Sequence, residues 1–173
     1  EEIKAVQIFG NDPDIMGEIA CSDYLKKFDI IDINMGCPVP KIYNNGEGSA
    51  LLKNPKLASK IISEVKKSGK AVTVKFRIGL KEGEYLTETF AKACEDGGAD
   101  MITIHGRVKT AMYSGDCNYE EIKKEQERQA KNKEIDSKIK ELREMSLIDI
   151  MNNNKENIQI YNDVISGLEM SRP

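Results

Sequence analysis

The sequence has a single histidine, His105, and its four cysteines, at positions 21, 37, 94 and 117, share no paired spacing. No Cys-x-x-Cys occurs, so no zinc cluster and no disulfide framework can be read, and the cysteines are expected as reduced thiols. No stretch approaches the roughly 20 apolar residues that a membrane-spanning helix requires. Glu1-Glu2, with no apolar segment behind it, carries no secretory signal within these residues. The expectation is a cytoplasmic protein with no membrane and no metal. An excess of positive charge is missing too: Lys plus Arg number 26 against 29 Asp plus Glu, with 16 and 19 in residues 1 to 122 and ten of each in residues 123 to 173. Nucleic-acid affinity draws on clustered Lys and Arg, so this segment alone offers no strong basic face. The local group Lys66, Lys67 and Lys70 sits at a helix end, where cations suit the dipole, and is expected as a solvated cap.

What is present is a repeat of strands and helices. Ile30 to Lys41 sends a β-branched strand straight into a loop that holds Cys37 between Gly36 and Pro38. Most free cysteines are small buried hydrophobes. One fixed at the C-terminal end of a strand in a β/α chain is instead placed where such folds keep their chemistry. Two later strands end alike: Ala71 to Gly79 delivers Lys75 and Arg77, and Met101 to Arg107 delivers His105 and Arg107. Val6-Gln-Ile-Phe-Gly10 is a shorter strand interrupted by Gln7. A cation at a strand end ordinarily only reaches solvent, and a glutamine ordinarily only satisfies local backbone; recurrence at each strand argues for a shared site. Between the strands, Asp14 to Lys27, Leu51 to Ser68 and Thr87 to Asp96 read as helices, with Gly69 and Gly97-Gly98 as stops. Alternation of this kind predicts parallel pairing.

These residues resemble the tRNA-dihydrouridine synthases, in their bacterial form, over about residues 5 to 122. The resemblance rests on Val6 to Gly10, Asp32-Ile-Asn-Met-Gly-Cys-Pro38, Gly46 to Leu52, Val74 to Gly79, Gly97 to Arg107 and Tyr113-Ser-Gly115, in order and at matching spacing. It implies a TIM-type (β/α)8 barrel that reduces uridine in tRNA to 5,6-dihydrouridine with FMN as cofactor and NADPH as reductant. Carried over by position, Cys37 matches the proton donor, giving a proton to C5 of uracil while flavin N5 gives hydride to C6. A thiol suits that role, since an unperturbed pKa of about 8.5 leaves such a group mostly protonated near neutrality. Gln7, Lys75 and His105 match flavin-contacting positions, Lys75 as a cation by the electron-rich end of the ring system. Asn34 matches a position among flavin and uracil contacts, and Arg107 one that faces phosphate or RNA. Arg77 is expected in a salt bridge inside the barrel mouth.

The sequence also departs from that family. A complete barrel takes about 250 residues, whereas 173 are present, and the chain starts directly before what would be the third strand. The expectation is therefore a partial barrel, residues 1–124, of about four parallel strands, followed by a polar helical tail, residues 125–173. In that tail Ile135, Ile139, Leu142 and Met145 form the one apolar stripe, the first two turns read as solvated, and Asn152 to Asn157 reads as a polar linker. Ile158 to Ile165 bears a faint likeness to the next barrel strand. Three functions stay open: the tRNA reductase or a fragment of it, a non-catalytic half-barrel module that self-associates through its open strand edges, and another FMN barrel acting on a small pyrimidine.

Overall fold

The computed structural model describes residues 2–151 and 155–173, with side chains from 157 onward in the second stretch. The chain divides into two compact units, Glu1–Ile122 and Lys123–Pro173.

The first unit begins with strand β1 (Ala5–Ile8) and helix α1 (Pro13–Cys21). Asp12 caps α1 by accepting from the amides of Asp14 and Ile15 at 3.0 and 3.1 Å, and Pro13 supplies a preset φ at the first helical position. The helix stops at Cys21, short of the expected Lys27. Ser22 turns extended there and its hydroxyl donates back to the Ile19 carbonyl at 2.6 Å, leaving only a 3₁₀ turn over Asp23–Leu25. Strand β2 (Ile30–Met35) leads into a short helix, α2 (Pro40–Asn44), which Pro40 opens. A 3₁₀ segment, Gly48–Lys53, precedes α3 (Pro55–Lys66), capped by the Asn54 side chain on the Leu57 amide at 3.1 Å. Strand β3 (Ala71–Arg77) follows, then a small antiparallel pair, β4 (Gly79–Lys81) and β5 (Glu84–Tyr85), helix α4 (Thr87–Asp96) and strand β6 (Met101–His105).

The main sheet has the order β1-β2-β3-β6, parallel throughout. Alternation along each strand sorts side chains to two faces. Ile31, Ile33, Met35, Val72, Val74 and Phe76 are fully buried and share one core with Ile61, Ile62 and Val65 of α3 and Phe90 and Cys94 of α4. The rings of Phe76 and Phe90 lie 5.0 Å apart at 58°. Each such side chain contributes about 1.5–3 kcal/mol on burial, which makes this layer the anchor of the fold. The register aligns Gln7 with Asp32 and Thr73, Asn34 with Lys75 and Thr103, and Arg77 with His105, so the polar residues share the opposite face.

The three lysines at and after the end of α3 are more than a solvated cap. Lys66 Nζ meets Asp100 Oδ2 at 2.7 Å, Lys67 pairs with Glu64, and Lys70 Nζ donates to the Phe28 carbonyl at 2.6 Å. Asp100 also accepts from the Val72 amide at 2.7 Å, so α3, β3 and the approach to β6 are tied at one point.

Helix α5 (Tyr119–Met151) runs into the second unit, which also contains α6 (Lys155–Met170). Ile135, Ile139 and Ile165 form its buried cluster, with Leu142 and Leu168 packed on it. Three expectations are corrected here. Ile158 to Ile165 is helical, not a strand: its buried positions fall with Ile165 and Leu168 at helical spacing, and Ile160, which strand alternation would group with Ile158, is 57% exposed. Met145 leaves the stripe to Ser146, which is buried while Met145 is 42% exposed. The early turns of α5 bury Glu125 and Arg128, which bridge each other through two bonds of 2.6 and 2.8 Å and so satisfy the charge that burial would otherwise penalise. Of the expected linker, residues 152–154 lie outside the described residues, and 155–157 belong to α6.

Candidate active site

The loop after β2 is fixed by the strand's own side chain. Asn34 Oδ1 accepts from the amides of Gly36 at 3.1 Å and Cys37 at 3.0 Å, a closed turn that sets where the thiol leaves the sheet. The Cys37 carbonyl accepts from the Ser49 amide at 3.0 Å. Gly48 must lack a side chain here: its φ is +57°, and a Cβ would come within 2.9 Å of both Cβ and O of Cys37. That close approach explains the glycine in Gly46-Glu-Gly-Ser. Of the four thiols, Cys94 is sealed in the core and burial pushes its pKa up to about 12, whereas Cys37 is half-buried.

Behind the loop runs a line of hydrogen bonds across three strands. Asn34 Nδ2 donates to Gln7 Oε1 at 3.1 Å, Gln7 Nε2 donates to Asp32 Oδ2 at 2.6 Å, and Thr73 Oγ1 donates to Asp32 Oδ1 at 2.6 Å. Gln7 and Asn34, picked from the sequence, are thus brought together. Asp32 and Thr73 were missed, although Asp32 stands two residues before Asn34 and so points to the same face.

Next to this line the strand ends gather cations. Lys75 lies beside Asn34 in the register, and burial, with Arg77 second, lowers its pKa. Arg77 is buried; its Nε donates to the Gly36 carbonyl at 2.9 Å and its Nη1 to that of Val108 at 3.2 Å, with the Tyr113 ring 5.9 Å away. The expected salt bridge of Arg77 is therefore replaced by backbone carbonyls of two loops, which hold the charge without a carboxylate. Arg107 Nε donates to the Gly115 carbonyl at 2.9 Å. His105 pairs with Arg77 in the register, and burial together with Arg77, Lys75 and Arg107 holds its pKa down at about 4, so the imidazole is neutral at pH 7. Its Nδ1 is buried and has no hydrogen-bond partner among the described residues. All six residues expected at the site, Gln7, Asn34, Cys37, Lys75, His105 and Arg107, lie on or just after the strands of one sheet.

The sequence matches the family model described as dihydrouridine synthase (Dus) over residues 1–147. The chain belongs to the dihydrouridine synthase family. Its relatives include a probable tRNA-dihydrouridine synthase 1 of Synechocystis sp., 40% identical over 121 residues that make up 69% of this chain and 34% of the relative. tRNA-dihydrouridine synthase B of Pasteurella multocida is 42% identical over 122 residues, 70% of this chain and 37% of its own. A probable tRNA-dihydrouridine synthase of Rickettsia prowazekii is 39% identical over 119 residues, 68% and 36% respectively. This Dus chain thus spans about a third of the length of the curated relatives it matches, and its four parallel strands form part of a TIM-type barrel. No helix of the described residues is long and apolar enough to cross a membrane, and no group of His, Cys, Asp and Glu among them is arranged to hold a metal.

Proposed function

We propose that this chain carries the proton-donating and flavin-contacting face of an FMN-dependent enzyme that reduces uridine in tRNA to 5,6-dihydrouridine at the expense of NADPH. The observation that supports it best is the pinned Cys37 loop beside Lys75 and Arg77, neither of which closes a salt bridge, Asp32 acting on Lys75 only at a distance. Lys75 and Arg77 form no ion pair among the described residues, and His105 keeps a buried nitrogen unbonded. Charges and donors left this way cost stability unless an anionic, hydrogen-bonding ligand meets them, and FMN fits that requirement.

When bound, FMN would supply the hydride equivalent that NADPH provides. The chain's own residues account for the rest. Lys75 and His105 would hold the flavin, Lys75 by charge and His105 as a neutral hydrogen-bonding group. Gln7 belongs with them at the edge of the sheet. The Cys37 thiol would hold the proton destined for C5 of the uracil ring, so that the C5–C6 double bond gains one hydride and one proton. The proton lost by the thiol would be replaced from solvent. Asn34 keeps that thiol in place and Arg107 would meet an RNA phosphate. Incubating the chain with FMN, NADPH and unmodified tRNA, and measuring dihydrouridine by nucleoside mass spectrometry, tests the reading; no product at saturating FMN would refute it for this chain.

A second reading has its own support. In the main sheet β1 and β6 each pair on one side only, and Phe9 and Met101 are 53% and 57% exposed. Unpaired strand edges invite pairing with another chain. Self-association, with or without catalysis, is therefore proposed, and sedimentation in the presence and absence of FMN tests it; a monomer at micromolar concentration in both conditions contradicts it. Reduction of free pyrimidine but not of tRNA would select the small-substrate alternative.

A further inference from the structure

Asp32 lies between Gln7 and Thr73 in the register and two residues before Asn34 on β2. An ionised carboxylate has only acceptors, so both of its bonds are received: from Gln7 Nε2 and from Thr73 Oγ1, each at 2.6 Å. This settles how the Gln7 amide faces. With its nitrogen committed to Asp32, Gln7 presents Oε1 to Asn34, whose Nδ2 donates at 3.1 Å. Asn34 is then left presenting Oδ1 to the amides of Gly36 and Cys37. The two ends of a carboxamide have nearly the same shape, and only their partners decide which end points where. Asp32, which only accepts, and the Gly36 and Cys37 amides, which only donate, are the two ends of this series that cannot be read in reverse.

We propose that Asp32, held by Thr73, is a positioning residue that fixes the Cys37 loop through Gln7 and Asn34, without touching substrate or cofactor. Consider a neutral amide at position 32. It can offer its own N–H to Gln7, which lets Gln7 turn over and present its nitrogen to Asn34. The Gln7 nitrogen then faces Asn34 Nδ2, donor against donor, and Asn34 loses the one side-chain bond that holds its amide in place. Both loop bonds are weakened although no atom near Cys37 has been changed. The consequence for proton delivery rests on the function proposed above, whereas the loop geometry does not.

Residue-resolved amide hydrogen exchange on the whole chain tests this. In Asp32→Asn the amides of Gly36 and Cys37 should exchange faster, by up to about five- to tenfold, the limit set by full loss of one hydrogen bond of about 1 kcal/mol at each, while those of Val74 and Phe76 keep their rates. Asn34→Ala should give at least the same acceleration, and adding Asp32→Asn to it should change the loop no further. Thr73→Val should act in the same direction with a smaller effect. Unchanged loop exchange in Asp32→Asn overturns the proposal. So does acceleration spread equally through β2 and β3, which marks a merely structural role, and so does additivity in the double variant. If Asp32→Asn fails to fold, Gln7→Leu severs the series one step later with Asp32 intact, and must speed the loop amides alone. The functional reading fails separately: loop exchange as expected in a protein that makes no dihydrouridine keeps the positioning role and sinks the enzyme assignment.

Discussion

The strand ends of the first unit treat charge differently from the helices of the second, although the first unit's outer surface also pairs cations with acids, as in Lys66–Asp100 and Lys92–Glu88. In Lys123–Pro173 cations meet carboxylates: Arg128 with Glu125, Lys138 with Glu134, Arg143 with Glu169 and Arg172 with Asp136. In Glu1–Ile122 the strand ends gather Lys75, Arg77 and Arg107 around a neutral His105, and Arg77 rests on backbone carbonyls instead of an acid. Exposed ion pairs add only about 0–1 kcal/mol each, so apart from the buried Arg128–Glu125 pair the pattern in the second unit is what a solvated helical surface needs. Cations drawn together without closing salt bridges work against folding, and strongly perturbed groups of this kind cluster where ligands bind. The units differ in core as well: eighteen buried residues form one cluster in the first, against three in the second. The first unit therefore has the packing needed to hold unmatched charges in place, and the second does not.

If the chemistry belongs wholly to the first unit, Cys37→Ala should break it most severely. Dihydrouridine formation should fall about 10²–10⁴-fold, the usual contribution of a positioned acid, with FMN binding nearly unchanged. Cys21→Ala, Cys94→Ala and Cys117→Ala should each retain most activity, because Cys21 ends α1 on the surface, Cys94 is held in the core and Cys117 lies outside the pinned loop. Near-normal turnover of Cys37→Ala, or an equal loss from any of the other three, would move the acid elsewhere.

The contrast in cores predicts unequal costs for truncating a buried side chain. Phe76→Ala, which empties the contact with Phe90, should lower the stability of the first unit by about 3–5 kcal/mol. Ile139→Ala should cost about 2 kcal/mol, the low end for its type, because few buried neighbours surround it. Hydrogen exchange read separately in the two units would show it. Equal losses, or loss of first-unit protection in Ile139→Ala, would mean that the units unfold together.

How much of this could be read from sequence depended on period and length. Strands β2, β3 and β6 were legible because apolar alternation and glycine stops coincide, and α4 because Phe90, Ala91 and Cys94 share a helical face that is in fact buried. The misreading of Ile158 to Ile165 came from a short apolar run that satisfies both periods, where only the packing of Ile165 and Leu168 against Ile135 and Ile139 decides. The β4–β5 pair and α2 were too short to stand out. At the candidate site, residue types singled out the groups proposed to bear chemistry and not how they are joined. Asp32 was hidden as one polar residue in an apolar strand, and its part emerges only once Gln7 and Thr73 stand on either side of it.

The unmatched cations can be probed one at a time. Lys75→Met removes a charge at a position flanked by buried Val74 and Phe76 without opening a large cavity. FMN affinity should weaken about tenfold or more, within the range of a hydrogen bond to a charged group, while thermal stability stays level or rises, because relief of the burial cost and of repulsion from Arg77 outweighs the lost attraction of Asp32. Gln7→Ala should act in the same direction more mildly, since no charge is lost. Unchanged FMN titration in Lys75→Met would show that its charge serves something other than the flavin.

A final effect concerns His105, and it distinguishes the units by pH. The folded state keeps this imidazole neutral down to about pH 4, whereas an unfolded chain would protonate it near the ordinary value of 6.5. Between those values the unfolded form binds the extra proton, so His105 makes the first unit progressively less stable as pH falls from about 6.5 to about 4, and has no such effect above that window. His105→Gln should flatten that limb of the stability curve for the first unit alone. Because the chain has a single histidine, one imidazole resonance reports the group directly: its midpoint should lie near 4 in the free protein. A midpoint near 6.5 would show that neither burial nor the charges of Arg77, Lys75 and Arg107 act on the ring, and the idea of a charge cluster waiting for an anion would fall with it.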